Sequence, residues 1–403
     1  MALLTQKEQA ALRAKVREFL DPLILEAPSS WRGALEDPYV SDENWGYHRK
    51  MARKIDESGW SLSIWPAKYG GREAPLIEQI VINEMVGYCK AGGIDVFAGM
   101  IGSAIFLYGT EEQKAFHLPK IANGEEMWCQ GWSEPNAGSD VASLKTRATR
   151  QGDHYIVNGQ KIWTSNAHRA DWMFAMVRTD ANDKSRGGVS VLLIDMKTKG
   201  IDVRPIRSMN GEHSFNEVYF DDVKVPTRNL LGREDDGWKI TKDLMSLERM
   251  GMAGEIGHVK RLLDDLTEYC RKTPSGSGCL LDDGRIAERL AELAIEIEVV
   301  RALCYELGRI VSEGGSASAL SFACALKVST SEVLQKVAYV GVEILGTAGQ
   351  VEKGSPEVAP MGGQFARTYQ TCVGMNIAGG TSEIQRNVIA WNVLGLPRCN
   401  PGV

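Results

Sequence analysis

The run from Met127 to Asp140 concentrates residues that can grip a planar, polar-edged molecule: Gln130, Trp132, Ser133, Asn136 and Ser139 around Pro135 and Gly138. Proline fixes a turn, glycine lets another molecule approach the backbone, and the amides and hydroxyls supply donors and acceptors. The same composition also fits an ordinary β-turn whose Ser and Asp cap the backbone. No GxGxxG follows a predicted strand, and Gly276-Ser277-Gly278 lacks the third glycine, so a dinucleotide here needs another mode of binding. For acid-base chemistry the candidate is Leu247-Glu248-Arg249. On a helix Glu248 shares a face with Leu244, Gly251 and Met252, surroundings that raise a carboxylate's pKa. An isolated Glu-Arg pair on a helix is otherwise a solvated ion pair. Glu255, two turns on, is the rival. The 6 histidines and 8 cysteines are dispersed, without HExxH, CxxC or a Cys/His cluster, so no metal is expected and the thiols read as reduced.

The chain that must position these groups has 403 residues, too long for one growing core, so several packed domains are expected. Residues 1–122 carry helical periodicity, with breaks at Trp65-Pro66 and Tyr69-Gly70-Gly71 and a helix start at Thr110. Residues 123–236 change to short β-rich runs at 154–157, 172–177 and 189–194, separated by turn signals at Asn158-Gly159, 180–188 and 198–200. Residues 237–403 return to long amphipathic stretches at 238–271, 283–313, 317–345 and 381–394. Helices, then strands, then helices make an α+β multidomain chain and not a doubly wound sheet. With a net charge of -6 there is no general attraction to nucleic acid. No apolar run is long enough to span a membrane, and residues 1–20 read as a first helix and not as a cleavable leader, which makes the expected location cytoplasmic.

Trp132 to Asp140 resembles the SEPxAGSD signature of acyl-CoA dehydrogenases, and Asn158 to Asn166 (NGQKIWTSN) resembles the family's next motif at the family's spacing. Leu345 to Gly349, Gly379 to Arg386 (GGTSEIQR) and Leu394 to Pro397 continue the likeness in order over nearly the whole chain. The resemblance implies an N-terminal helical domain, a middle β-barrel domain and a C-terminal four-helix bundle, with FAD as cofactor and a homotetramer or homodimer as assembly. It implies that Gln130, Trp132 and Ser133 line the isoalloxazine, with Trp163 packing near the ring and Ser165 bonding to it. A core tryptophan is the other reading of Trp163. Thr381 and Glu383 match positions on the diphosphate-ribityl side, where a helix N-terminus favours anions. Arg271, Glu343 and Gly346 match positions that reach FAD from a neighbouring subunit. The family's usual aromatic after that arginine is absent from Lys272-Thr273-Pro274-Ser275.

Dehydrogenating an acyl thioester requires a carboxylate against Cα, in a site dry enough to raise its pKa. Many family members carry that glutamate just before the last Gly-Thr, where this chain has Gly379. The isovaleryl and long-chain branches carry it within Leu-Glu-Arg, where this chain has Glu248. The resemblance therefore implies Glu248 as base and the Gly379 backbone N–H as a donor to the thioester carbonyl. Ser139 and Arg249 match positions near the CoA and acyl entrance; a turn hydroxyl and a helix ion pair are their other readings. An electron-transfer flavoprotein is the implied electron acceptor, and the space left at Gly379 points to a branched, cyclic or bulky acyl group. The alternatives are a related flavin acyl-CoA oxidase or reductase, and a non-catalytic subunit of a heteromeric dehydrogenase.

Overall fold

The computed structural model describes residues 4–34, 37–94, 96–180, 187–248, 251–352 and 357–398. Six helices come first: α1 (Gln6–Ile24), α2 (Asp37–Val40), α3 (Asp42–Glu57), α4 (Leu76–Tyr88), α5 (Val96–Tyr108) and α6 (Glu111–Ala122). Thr110 starts α6 through a capping box in which its Oγ1 accepts from Gln113 N at 3.2 Å and its own N donates to Gln113 Oε1 at 3.0 Å.

Eight strands follow: β1 (Trp128–Gly131), β2 (Arg147–Gln151), β3 (His154–Ser165), β4 (Trp172–Arg178), β5 (Val189–Asp195), β6 (Ile201–Ile206), β7 (Phe215–Pro226) and β8 (Leu230–Leu231). They form one sheet in the order β6-β7-β3-β2-β4-β5-β8, with β1 pairing in parallel with β4. Every residue of β5 but the last is buried, which is why its apolar run shows no alternation. Asn158-Gly159 does not turn the chain as its composition suggested. Strand β3 runs through it, and the pairing with β7 slips a register between Val157 and Gly159. Gly159 sits at φ 147°, where an added Cβ would lie 2.6 Å from Thr146 Oγ1, so glycine here serves a β-bulge.

The last six helices are α7 (Gly237–Glu248), α8 (Met252–Lys272), α9 (Gly284–Ser312), α10 (Ser316–Leu345), α11 (Gln364–Met375) and α12 (Ser382–Asn392). The stretch read as one helix from 238 to 271 is thus two. Helix α11 escaped the sequence reading because its buried face mixes Phe365 and Cys372 with Gln364 and Thr368. One core joins α8, α9 and α10 to Ile77 and Ile80 of α4. Another packs Ile101 and Ile105 of α5 and Ile240 and Leu244 of α7 onto Trp128, Phe174 and Leu193 of the sheet. Helices α4 and α8 touch backbone to backbone: a Cβ on Gly87 would meet Gly254 O at 1.8 Å, and one on Gly257 would meet Glu84 O at 1.9 Å. Sheet, α5, α7 and the start of α8 therefore converge on one junction.

Candidate active site

Two sequence motifs meet at that junction because a buried ion pair staples them. Lys161 Nζ, fully buried, bonds Glu134 Oε1 at 2.9 Å and donates to the Trp132 carbonyl at 3.1 Å. Ile162 N donates to Ser133 O at 2.9 Å. Glu134 also accepts from Lys145 N at 2.6 Å and Thr146 N at 2.8 Å. Burial pushes the Glu134 carboxyl up, but the Lys161 ammonium and these hydrogen bonds outweigh it and hold it below the ordinary range. Burial lowers Lys161 to about 8, against the pull of Glu134. Both residues stand inside the quoted motifs, yet only the fold assigns them this fastening task.

The staple fixes Trp132 and Ser133 beside the end of β3. There a second register shift, between Lys161 and Thr164, turns Trp163 outward. The indole is 58% exposed, against the reading of a core tryptophan, and its backbone lies at φ 59°. A bulky residue in the left-handed region carries strain that a site retains for a purpose. Phe215 meets Trp163 edge-on at 6.1 Å between centroids. Among the described residues Trp132 Nε1 and Thr164 Oγ1 are buried without a partner, and Gln130 Nε2 meets Met100 Sδ at 3.7 Å. Ser165 ends β3 half-buried. Gln130, Trp132, Ser133, Trp163 and Ser165 are thus gathered on two adjoining segments with unspent polar edges and an open aromatic face, an arrangement that fits a flavin ring.

The last motif builds a helix start. Gly379 and Gly380 have φ 64° and 85°, and their carbonyls accept from Gln385 Nε2 at 2.9 and 3.4 Å. Thr381 caps α12 by accepting from Ile384 N at 3.2 Å. Among the described residues the Gly379 N–H has no acceptor, as a donor awaiting a ligand requires. Glu383 is exposed in the first turn of α12; hydrogen bonds with its own backbone and with Thr381 lower its pKa.

Glu248 is the last residue of α7; its side chain and all of Arg249 lie outside the described residues. Gly251, just beyond, lines a cleft of about 100 Å³ that also touches Gln79 and Asn83 of α4 and Met100 of α5. Ser139 stands exposed in the turn after Glu134. Arg271, Glu343 and Gly346 make no hydrogen bond or ion pair with these site residues among the described residues. They lie at the ends of α8 and α10, Arg271 paired with Glu268 and Glu343 with Arg289. The 21 residues of α8 separate its two ends by about 30 Å.

Models of the N-terminal, middle and C-terminal domains of acyl-CoA dehydrogenase match residues 6–125, 129–223 and 235–394. The chain belongs to the acyl-CoA dehydrogenase family. It is an oxidoreductase whose cofactor is FAD, in agreement with the open polar edges of β1 and β3. Acyl-CoA dehydrogenase FadE26 of Mycobacterium tuberculosis is 32% identical over 98% of both chains. Glutaryl-CoA dehydrogenase of Desulfococcus multivorans is 29% identical over 98% of both. Among solved structures, the Tcur3481-Tcur3483 steroid ACAD is similar with TM-score 0.88 and 29% identity, covering 99% of this chain and 100% of its own. The ChsE4-ChsE5 complex from Mycobacterium tuberculosis is similar with TM-score 0.85 and 31% identity over the same shares. Among the described residues no helix is long and apolar enough to cross a membrane. No group of His, Cys, Asp or Glu among them is disposed to hold a metal. Of the described cysteines all but Cys279 are buried.

Proposed function

We propose that this chain desaturates a branched, cyclic or otherwise bulky acyl-CoA between Cα and Cβ, with Glu248 removing the α-proton. The observation that carries the reading is the cleft lined by Gly251, immediately after the helix that delivers Glu248. Gly379, with no side chain and an N–H without an acceptor among the described residues, leaves room beside Cα and supplies a donor to the thioester carbonyl. That donor acidifies the α-proton, so base and N–H act on the same step. When bound, FAD supplies the acceptor for the hydride lost from Cβ. Gln130, Trp132, Ser133, Trp163 and Ser165 would hold its ring, Thr381 and Glu383 its diphosphate-ribityl side, and Ser139 and Arg249 the CoA entrance. The separation of Arg271, Glu343 and Gly346 from these residues favours a second subunit that presents its own copies to the cofactor. An electron-transfer flavoprotein would then reoxidise the enzyme in the cytoplasm.

Glu248→Gln is expected to abolish bleaching of the flavin by acyl-CoA under anaerobic conditions while FAD remains bound. Retained bleaching at a comparable rate would remove Glu248 from the role. A panel of linear, branched, cyclic and dicarboxylic acyl-CoAs in the same assay tests the substrate class, and preference for linear chains would overturn it. A second reading, a chain that works as one half of a heteromeric pair, is favoured by the two-chain names of the similar steroid ACAD and ChsE4-ChsE5 structures. Co-expression with a homologous neighbour, followed by flavin content per chain, separates the two.

A further inference from the structure

Asn83 of α4 lines the cleft, and the bonds that hold its side-chain amide fix which way round that amide stands. The series starts at the backbone. Ser63 N donates to Gln79 Oε1 at 2.8 Å, and Ser63 Oγ donates to the same oxygen at 2.8 Å. A backbone N–H can only donate, so this end of the Gln79 amide is its oxygen. Gln79 Nε2 then donates to the Trp60 carbonyl at 3.2 Å and to Asn83 Oδ1 at 2.8 Å. A carbonyl can only accept, so main-chain groups set both ends of Gln79, which is itself buried. Asn83 must therefore turn its oxygen to Gln79. The two N–H donors of Nδ2 are what it has left to offer a ligand in the cleft.

Much of the remaining wall is hydrocarbon, including Leu62, Trp65, Ile80 and Met100. Its other polar side chains are tied to the protein's own backbone. Ser103 Oγ donates to Gly99 O at 2.8 Å, Ser61 Oγ donates to Ala122 O at 2.8 Å, and His48 Nδ1 accepts from Gly93 N at 3.1 Å. None of the described residues that line the cleft is Asp, Glu, Lys or Arg. His48 is the titratable one among them, and burial lowers it to about 4, so it is neutral at neutral pH. The cleft thus presents fixed N–H donors of Asn83 on an apolar, uncharged wall.

We propose that Asn83 is a specificity residue whose Nδ2 donates to an uncharged acceptor oxygen, a ketone, carried on the acyl group away from the thioester. The inference rests on the reading given above, in which a bulky acyl group enters this cleft. A carboxylate in place of the ketone would be stripped of water with no cation on the wall to meet it. An ammonium group would meet donors where it needs acceptors. Plain hydrocarbon would displace water from Nδ2 and return nothing, a cost that an acceptor oxygen removes. Gln79 is the positioning residue: it holds the amide in place before the substrate arrives, so little side-chain freedom is lost on binding.

The test uses the FAD-loaded full-length enzyme and matched acyl-CoA sets: cyclohexylpropanoyl-CoA with its ring ketones and a ring carboxylate, and the corresponding decalin set. Wild type is expected to favour a ketone over the plain ring by about tenfold or more in kcat/KM in at least one set, since sites built to hydrogen-bond a substrate discriminate strongly against loss of the bonded group. Asn83→Leu, close in size but without the donors, is expected to collapse that ratio because the ketone loses more than the plain ring does. Asn83→Ala is expected to do the same, and it carries the test if the leucine variant fails to hold FAD. A wild-type ratio near unity in both sets overturns the proposal whatever the variants do. So does an unchanged ratio in the variants, an equal loss on ketone and plain ring, or a wild type that prefers the carboxylate. A wild type that accepts linear acyl-CoAs and rejects every ring defeats the reading of a bulky acyl group instead, a result distinct from any ratio within a set.

Discussion

Burial alone raises the Glu255 carboxyl from 4.5 to about 7. The folded protein then keeps a proton that the unfolded chain releases between those values, so this group makes stability fall as pH rises from 4.5 to 7 and withholds about 3 kcal/mol above that window. Burial has the opposite effect through His48 and His258, lowered to about 4 and about 3, because the unfolded chain binds their protons first. The slope for the whole protein mixes these signs, but a difference between variants isolates one. Denaturant unfolding of Glu255→Gln is expected to gain on wild type by about 3 kcal/mol between pH 4.5 and pH 8. A difference that stays flat with pH would mean that the carboxyl is solvated or paired. Trp163 shows the same economy of means: an exposed indole at φ 59° makes poor sense as packing and good sense as one face of a ring site.

The elements that aim these residues depend on close backbone approach more than on helix propensity. Helices α4 and α8 can carry Gln79, Asn83 and Gly251 to one cleft because Gly87, Gly254 and Gly257 let their backbones meet. Glycine inside a helix sacrifices intrinsic stability, so its presence at three facing positions reports a packing demand. Gly257→Ala would place a methyl 1.9 Å from Glu84 O and 2.8 Å from Tyr88 N, contacts with backbone that cannot rotate away. The expected outcome is a loss of about 1–3 kcal/mol or more in denaturant unfolding, with widened acyl specificity as the cleft opens. Glu84 lies at this crossing as well, held by Arg13 of α1 at 3.2 Å and by Arg301 of α9 at 2.5 Å, so displacement of α4 would spread to both neighbours.

For the whole molecule, the bundle leaves an apolar stripe in the open. Tyr369, Val373 and Ile377 follow one another at four-residue intervals, and Tyr339 of α10 lies 6.4 Å from Tyr369 between ring centroids. Ile377, at 63% exposure, stands two residues before Gly379. An apolar stripe of this kind beside a site suits a subunit interface. The double variant Val373→Asp, Ile377→Asp is expected to shift the particle mass toward smaller species in light scattering. FAD content should fall with it if Arg271, Glu343 and Gly346 act across subunits. Unchanged mass would place the interface elsewhere.

The order of motifs from Trp132 to Pro397, the helix start at Thr110 and the alternation of helical and strand textures were legible because each is a local property of side-chain type and spacing. From them the family, the cofactor and the absence of a carboxylate at Gly379 followed. The bulge at Gly159, the outward turn of Trp163, the break between α7 and α8 and the buried Lys161–Glu134 staple were not legible. Each depends on which segment lies opposite, and strand register and helix crossing are set by partners distant in the chain. Glu255 makes the same point. The sequence shows a glutamate on an apolar face; only tertiary packing decides that burial raises its pKa.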